Sequence, residues 1–371
     1  MRVTVVGAGN AGCAAAADLT LGGATVTLYE LPRFAANLSP IRERGSIRLI
    51  NNRVDGTGRQ GEARLAATTA DVSQAARGAD IIFIATQAAG HEEVARVFAP
   101  HVQPGQVVVL FTGYGGSLLV RKVFRESGVP AGVRVAETVT LPYLCRLQGP
   151  SEVEMHGKGY KAIPVAALPA SDTQRVLERL RSLYPILVPA GNVLETALLN
   201  SNVTRHTVGT LLNIGRIEYA RGEFWIYREA FTPAVWRVFD ALDGEKMAML
   251  HALGLPARSF LEYRRTVIDL SLEEQAATGS KGPISADTRY LTEDVPMGLV
   301  FFASLGELLG VPTPTARALI HLASVLGQRD YWAAGRTMER LGLAGLTAEQ
   351  LRAYVERGDE SKRAEGIPQP R

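Results

Sequence analysis

Cysteine is almost missing from this sequence: Cys13 and Cys145 are the only two in 371 residues. Two thiols cannot build a disulfide framework, which excludes a small stapled scaffold and fits a reducing compartment. Lysine is scarce too, supplying 6 of 40 basic residues, and 37 acidic residues bring the formal net charge down to +3. The arginines are dispersed, with no dense basic block, so nucleic acid is not expected as a partner. Apolar runs such as 81–85 and 107–111 fall far short of the roughly 20 residues that span a bilayer. The sequence opens directly on strand-like residues, leaving no room for a secretory signal. A cytoplasmic location without a membrane partner is therefore expected. Histidine and cysteine nowhere take the paired spacing of metal ligands, so no metal is expected.

What is present is ordinary globular composition, 46% hydrophobic and 21% charged. At roughly 100–200 residues per domain the length suits two domains. Short β-branched runs at 3–6, 25–29, 81–85 and 107–111 alternate with helical segments, beginning with an Ala-rich helix over 10–20. Runs apolar on both faces and separated by helices indicate a parallel sheet covered on both sides. Strands over 135–141 and 163–167, a helix over 173–183 and a last short strand at 187–188 continue the pattern. Residues 46–50 and 63–67 flank a turn-rich stretch and read as an inserted hairpin spanning about 46–67. After Pro189 the texture becomes helical, with 3.6-residue periodicity over 193–219, 233–253, 296–309 and 314–326. The expected organisation is an α/β domain over 1–190, an all-helical domain over 191–357 and a polar, disordered tail over 358–371. The apolar helix around 301–309 offers a face for a homodimer.

The first strand runs into Gly7-Ala8-Gly9-Asn10-Ala11-Gly12, the G-x-G-x-x-G pattern in its informative context of strand, turn and helix. Gly7 permits the tight turn, Gly9 lets backbone approach a pyrophosphate, and Gly12 lets the helix pack closely on the sheet. Asn10 and Ala11 open the helix whose N-terminal N–H groups favour phosphate. Glu30 ends the second strand, 18 residues past Gly12, where an acid accepts the ribose hydroxyls of NAD and repels the 2′-phosphate of NADP. Arg33, with Arg42 and Arg44 beyond it, supplies the cations that would accommodate that phosphate instead. NAD is the favoured cofactor and NADP the alternative. Thr86 and Gln87 close the 81–85 strand, at the sheet edge expected to face the cofactor; a plain polar turn explains them equally well.

Of six histidines, His91 and His101 fall in surface-type segments, His156 in a Gly/Lys loop, and His251 and His321 in late helices. His206 stands on an apolar helix where it shares one stripe with Asn202, Thr210 and Asn213. Such a stripe either satisfies its own hydrogen bonds or lines a wet cleft, and pattern alone slightly favours a core histidine. Asp294 directly precedes an apolar helix and reads equally as its N-cap. Arg289 reads as a solvated loop residue or as the partner of Glu293.

Four segments together resemble the NAD/NADP octopine/nopaline (opine) dehydrogenase family along essentially the whole chain. They are Val5-Val-Gly7-Ala-Gly9-Asn10-Ala-Gly12, Ala136-Glu-Thr-Val-Thr140-Leu-Pro-Tyr143-Leu-Cys145-Arg146, the helix bearing Asn202 and His206, and Arg289-Tyr-Leu-Thr-Glu293-Asp294-Val-Pro296-Met-Gly-Leu. The resemblance implies a Rossmann-type α/β domain followed by an all-α domain, in the arrangement of 6-phosphogluconate dehydrogenase. It implies a reaction in the cleft between them, where an α-keto acid condenses with the amino group of an amino acid and a nicotinamide reduces the imine. By resemblance His206 is the catalytic histidine, Asp294 the acid paired with it, Arg289 a substrate-binding arginine, and Thr140 and Cys145 pocket residues. Thr207 departs from the family, where proline often follows the histidine.

These residue types suit the chemistry. Histidine titrates near pH 6.5, and a carboxylate on its second nitrogen fixes the tautomer. Arginine binds a carboxylate through two parallel hydrogen bonds. Two competing readings are a ketopantoate-reductase- or glycerol-3-phosphate-dehydrogenase-like enzyme acting on a CH–OH bond, and a non-catalytic NAD(H) sensor. The first wants a lysine in a recognisable motif, which neither Lys246 nor Lys281 provides.

Overall fold

A computed structural model describes residues 1–277 and 281–358; beyond Gly358, the tail expected to be disordered lies outside them. The chain divides into two compact units, Met1–Thr196 and the residues from Ala197 onward. The division falls six residues past the boundary expected at 190. The helix Val193–Leu198 begins in the first unit, where the Thr196 hydroxyl donates to Glu137 at 2.9 Å.

The first unit is built on β1 (Arg2–Val6), β2 (Thr25–Tyr29), β3 (Ile47–Arg53), β4 (Gly61–Ala63), β5 (Ala67–Thr69), β6 (Ile81–Ile84), β7 (Val107–Leu110), β8 (Arg134–Thr138), β9 (Cys145–Gly149), β10 (Glu152–Gly157), β11 (Ile163–Leu168) and β12 (Leu187–Pro189). Eight of them form one sheet in the order β12-β11-β8-β7-β6-β1-β2-β5. The central strands β6 and β7 are buried at every position, which is why they read as continuous apolar runs. The sheet is parallel from β5 through β8, with Val3 opposite Val26 and Ile81. It reverses at β11, which runs antiparallel to β8 and parallel to β12. The expected parallel sheet thus carries one antiparallel pairing, β8 with β11, toward its edge.

The hairpin expected over 46–67 is also corrected. β3 and β4 pair antiparallel, but 67–69 leaves the hairpin to become the edge strand of the main sheet. β10 and β9, absent from the sequence reading, extend the hairpin into a separate four-stranded sheet in the order β4-β3-β10-β9. α1 (Asn10–Leu21) packs on β2 as well as on the second sheet. Contact on several sides explains its run Ala14–Ala17, all four buried, because only small side chains admit two sheets at close range.

In the second unit, 193–219 is not one helix. It contains the helix Val193–Leu198, α2 (Ser201–Leu211) and α3 (Ile214–Ala220). Asparagine makes both breaks. Asn200 caps α2 by accepting the Asn202 N–H at 3.1 Å, and Asn213 donates to the Gly209 and Ala230 carbonyls. Asn213 therefore leaves the stripe expected with His206. α4 (Pro233–Ala252), α5 (Val300–Leu309) and α6 (Pro314–Gly327) follow. In α5, Val300 to Ala303, Leu305 and Gly306 are buried inside their own unit, so its apolar face is core and not a dimer surface. No helix among the described residues is long and apolar enough to cross a membrane.

Candidate active site

The turn between β1 and α1 has the shape the glycines require. Gly7 takes a φ of +103°, and a methyl group on Gly12 would sit 1.6 Å from the Gly7 carbonyl oxygen. Around Gly9, the residue preceding α1, nothing lies where a side chain would go, which leaves room for a ligand at the helix N-terminus. Gly12→Ala is accordingly expected to strain the turn by about 1–3 kcal/mol. Fluorescence titration should show weakened NADH binding; unchanged affinity together with an unchanged Tm would contradict the geometry.

Glu30 is buried, and its carboxylate accepts the Ala8 N–H at 2.8 Å and the Leu31 N–H at 2.9 Å, with the Asn37 amide at 3.4 Å. It therefore braces the glycine turn. Two carboxylate oxygens offer about four acceptor sites, so capacity for a ribose hydroxyl remains. Arg33 is paired with Glu93 and lies over the Phe34 ring at 4.7 Å. Arg42 bonds to Thr68, and Arg44 to Glu62 and Glu152. Every arginine offered for a 2′-phosphate is thus engaged elsewhere. Thr86 packs its methyl toward Gly7, and its Oγ1 is buried without a partner among the described residues. A buried orphan hydroxyl beside the glycine turn fits a site built for a dinucleotide. Gln87 is exposed and starts the turn Ala88–Gly90.

Asn10 opens α1, and its side chain and carbonyl also bridge to a second segment. Its Oδ1 accepts the Leu147 N–H at 2.8 Å, and its carbonyl accepts the Cys145 thiol at 3.4 Å. The glycine turn and the Cys145 segment are thereby held side by side. Burial pushes the Cys145 thiol up to about 12, so it is a neutral donor and no nucleophile. Thr140 lies just past β8, its carbonyl accepting the Thr138 hydroxyl at 2.8 Å.

His91, expected at the surface, is fully buried under Gly116. Glu137 was not singled out by the sequence. Wholly buried, it accepts the Gly115 and Ser117 N–H groups and the Ser117 and Thr196 hydroxyls, which fixes the loop after β7. Desolvation raises its carboxyl above the ordinary range, with those four bonds opposing the shift. A methyl on Gly113 would come within 2.2 Å of the Glu137 carboxyl carbon, so this loop requires glycine there.

In the second unit the structure brings His206 and Asp294 together. His206 lies on α2, and Asp294 opens a π-helical turn, Asp294–Leu299, immediately before α5. Their approach depends on Gly298, where a methyl would stand 2.5 Å from Val203, one turn before His206. His206 Nδ1 is 2.9 Å from Asp294 Oδ2, and the two residues are only 9% and 2% exposed. Because a carboxylate only accepts, Nδ1 is assigned the proton and Nε2 the lone pair. Asp294 is thus a partner of the imidazole and not the helix cap that its position suggested. Tyr290, four residues before Asp294, stacks on the imidazole with centroids 3.8 Å apart and planes 13° from parallel. The Tyr227 hydroxyl stands 3.4 Å from Nε2. Arg289 bonds the buried Glu293 through Nε at 2.8 Å, which orients an otherwise exposed guanidinium. The i, i+4 spacing of Tyr290 and Asp294 was a readable signal; Tyr227, on the single helical turn Ile226–Glu229, gave none.

Similarity to known proteins follows the same division. Residues 189–326 match the family model for the α-helical domain of NAD/NADP octopine/nopaline dehydrogenase. Residues 3–166 match the model for ketopantoate reductase PanE/ApbA. The chain is 36% identical over 362 residues to an opine dehydrogenase of Arthrobacter sp. (strain 1C), covering 95% of this chain and 98% of that one. A structure of octopine dehydrogenase with NADH and L-arginine is similar with a TM-score of 0.74 at 22% identity, covering 96% and 98%. An NADP+-bound yersinopine dehydrogenase has a TM-score of 0.74 at 17% identity, covering 98% and 99%.

Proposed function

The chain belongs to the NAD/NADP octopine/nopaline dehydrogenase family, and from that premise we propose that it joins an α-keto acid to the amino group of an amino acid, with His206 as its proton carrier. It is an opine dehydrogenase, an NAD(P)-dependent oxidoreductase acting on CH–NH donors. The ketopantoate reductase family model matches only residues 3–166, whereas the opine dehydrogenase relative matches 95% of the chain, and an NAD(H) sensor finds no support in these relatives.

The observation that carries the reading is the buried His206–Asp294 pair with its second ring nitrogen turned away from the carboxylate. Condensation loses water and forms a C=N bond; the departing oxygen needs a proton, which an imidazolium supplies from Nε2. In the reverse direction neutral His206 accepts that proton back. Asp294 stabilises the imidazolium and holds its orientation through Nδ1. Arg289, fixed by Glu293, is assigned to a substrate carboxylate, and Thr140 and Cys145 to the substrate pocket. The glycine turn, Glu30 and Thr86 are assigned to the dinucleotide, whose nicotinamide supplies the hydride when bound. Glu30 at the end of β2, assigned to the ribose hydroxyls, and the engagement of Arg33 by Glu93 favour NAD over NADP. Two free thiols favour the cytoplasm.

The test is consumption of NADH or NADPH with an α-keto acid, alone and with a panel of amino acids. Oxidation that requires both substrates is the expected result. Oxidation driven by the keto acid alone, unaffected by any amine, would refute the proposal.

A further inference from the structure

We propose that Tyr227 is the proton-relay residue that connects His206 Nε2 to solvent. The inference rests on the reading of His206 as the proton carrier.

Nδ1 of the imidazole is engaged by Asp294 and one ring face by Tyr290. Nε2 is the atom that must exchange protons, and the Tyr227 hydroxyl is 3.4 Å from it. That separation is long for a hydrogen bond at rest, as catalytic contacts often are before substrate tightens them. His206 is buried, whereas Tyr227 is half-buried, so the side chain that meets Nε2 reaches solvent more readily than the imidazole does.

The phenol is also held in place. The guanidinium of buried Arg205 lies over its ring at 4.1 Å from the centroid. Arg205 is itself fixed by the Gln275 side chain at 2.9 Å. A cation on the ring face favours the electron density that builds up as the O–H bond lengthens.

A hydroxyl both donates and accepts, which suits either state of the histidine. Facing neutral His206 it donates to Nε2; facing the imidazolium it accepts. In the condensing direction Nε2 loses a proton to the departing oxygen. The Tyr227 O–H proton then passes to Nε2 as the phenol oxygen takes one from hydronium or a buffer acid, the one proton that reductive condensation consumes overall. Charge and protons balance, and Tyr227 ends each cycle neutral.

Tyr227→Phe removes the hydroxyl and keeps the ring under Arg205. Its kcat in dilute buffer is expected to fall about 10–100-fold, less than the roughly 10²–10⁴-fold of direct general acid–base assistance because His206 itself remains. KM for the cofactor and both substrates should stay near wild type, and added imidazole buffer should restore kcat. Wild-type kcat in dilute buffer overturns the relay. So does a loss that appears in KM and resists imidazole, since it would make Tyr227 a substrate contact. Should the variant fail to fold, wild-type enzyme in H2O/D2O mixtures decides. A curved proton inventory supports two protons in transfer, and a linear one refutes it. His206→Ala separates the two levels: an active His206→Ala variant removes the premise, whereas an inactive one beside a wild-type-like Tyr227→Phe removes only the relay.

Discussion

His206→Ala is expected to lower kcat by about 10²–10⁴-fold in both directions while NADH still binds. The size follows from what is removed. The side chain is the titratable group that Asp294 orients, and the imidazole carries the proton for the departing oxygen. Alanine also leaves the Asp294 carboxylate buried without its partner, a cost of roughly 3–5 kcal/mol by analogy with other broken buried pairs. Thermal unfolding therefore has to be measured beside the kinetics. His206→Gln, which retains a hydrogen-bonding side chain but cannot titrate, separates the two effects. The glycine turn belongs to the other compact unit, so NADH titration should match wild type. A variant that folds, binds NADH and turns over at the wild-type rate would exclude histidine from the chemistry.

Much of this was legible in the residues, for physical reasons that differ between the halves. In the first unit the signal is local. β6 and β7 are buried on both faces and read as unbroken apolar runs. The glycine pattern marks three different needs: a positive φ at Gly7, open space at Gly9, and at Gly12 a 1.6 Å approach that leaves a β-carbon no room. β9 and β10 escaped because each is half-polar, and β10 takes its register from β3, about a hundred positions away, with β9 pairing on β10. In the second unit the signal is non-local. His206 and Asp294 are 88 residues apart, and their approach depends on Gly298 meeting Val203 across two helical segments. No periodicity encodes that, and pattern alone favoured a core histidine and a helix cap. Resemblance to the family was needed to name the pair, and geometry to show it joined. Tyr227 had neither motif nor period, and Glu137 stood inside a family segment without a role, since both act through hydrogen bonds formed only in the folded chain.

Asp294→Asn is expected to cost nearly as much as losing the histidine, about 10²–10⁴-fold in kcat, although the side chain keeps its size. A carboxylate presents only acceptors to Nδ1, so it enforces the tautomer with the lone pair on Nε2. A carboxamide can turn its NH2 toward the ring, which favours the opposite tautomer and withdraws the lone pair from the reacting side. It also cannot neutralise an imidazolium in a site only 2% exposed at that position. The same substitution in a Ser-His-Asp triad costs ~10⁴ with geometry intact, which sets the scale. Because Asn matches the shape of Asp, packing of the π-helical turn against Val203 and the Tyr290 stack should survive. Tm should then change little while activity collapses, the reverse of what a purely structural ion pair predicts. If Asp294→Asn instead lowers Tm sharply and leaves kcat of the folded fraction intact, the pair holds the helices together and does nothing for the reaction.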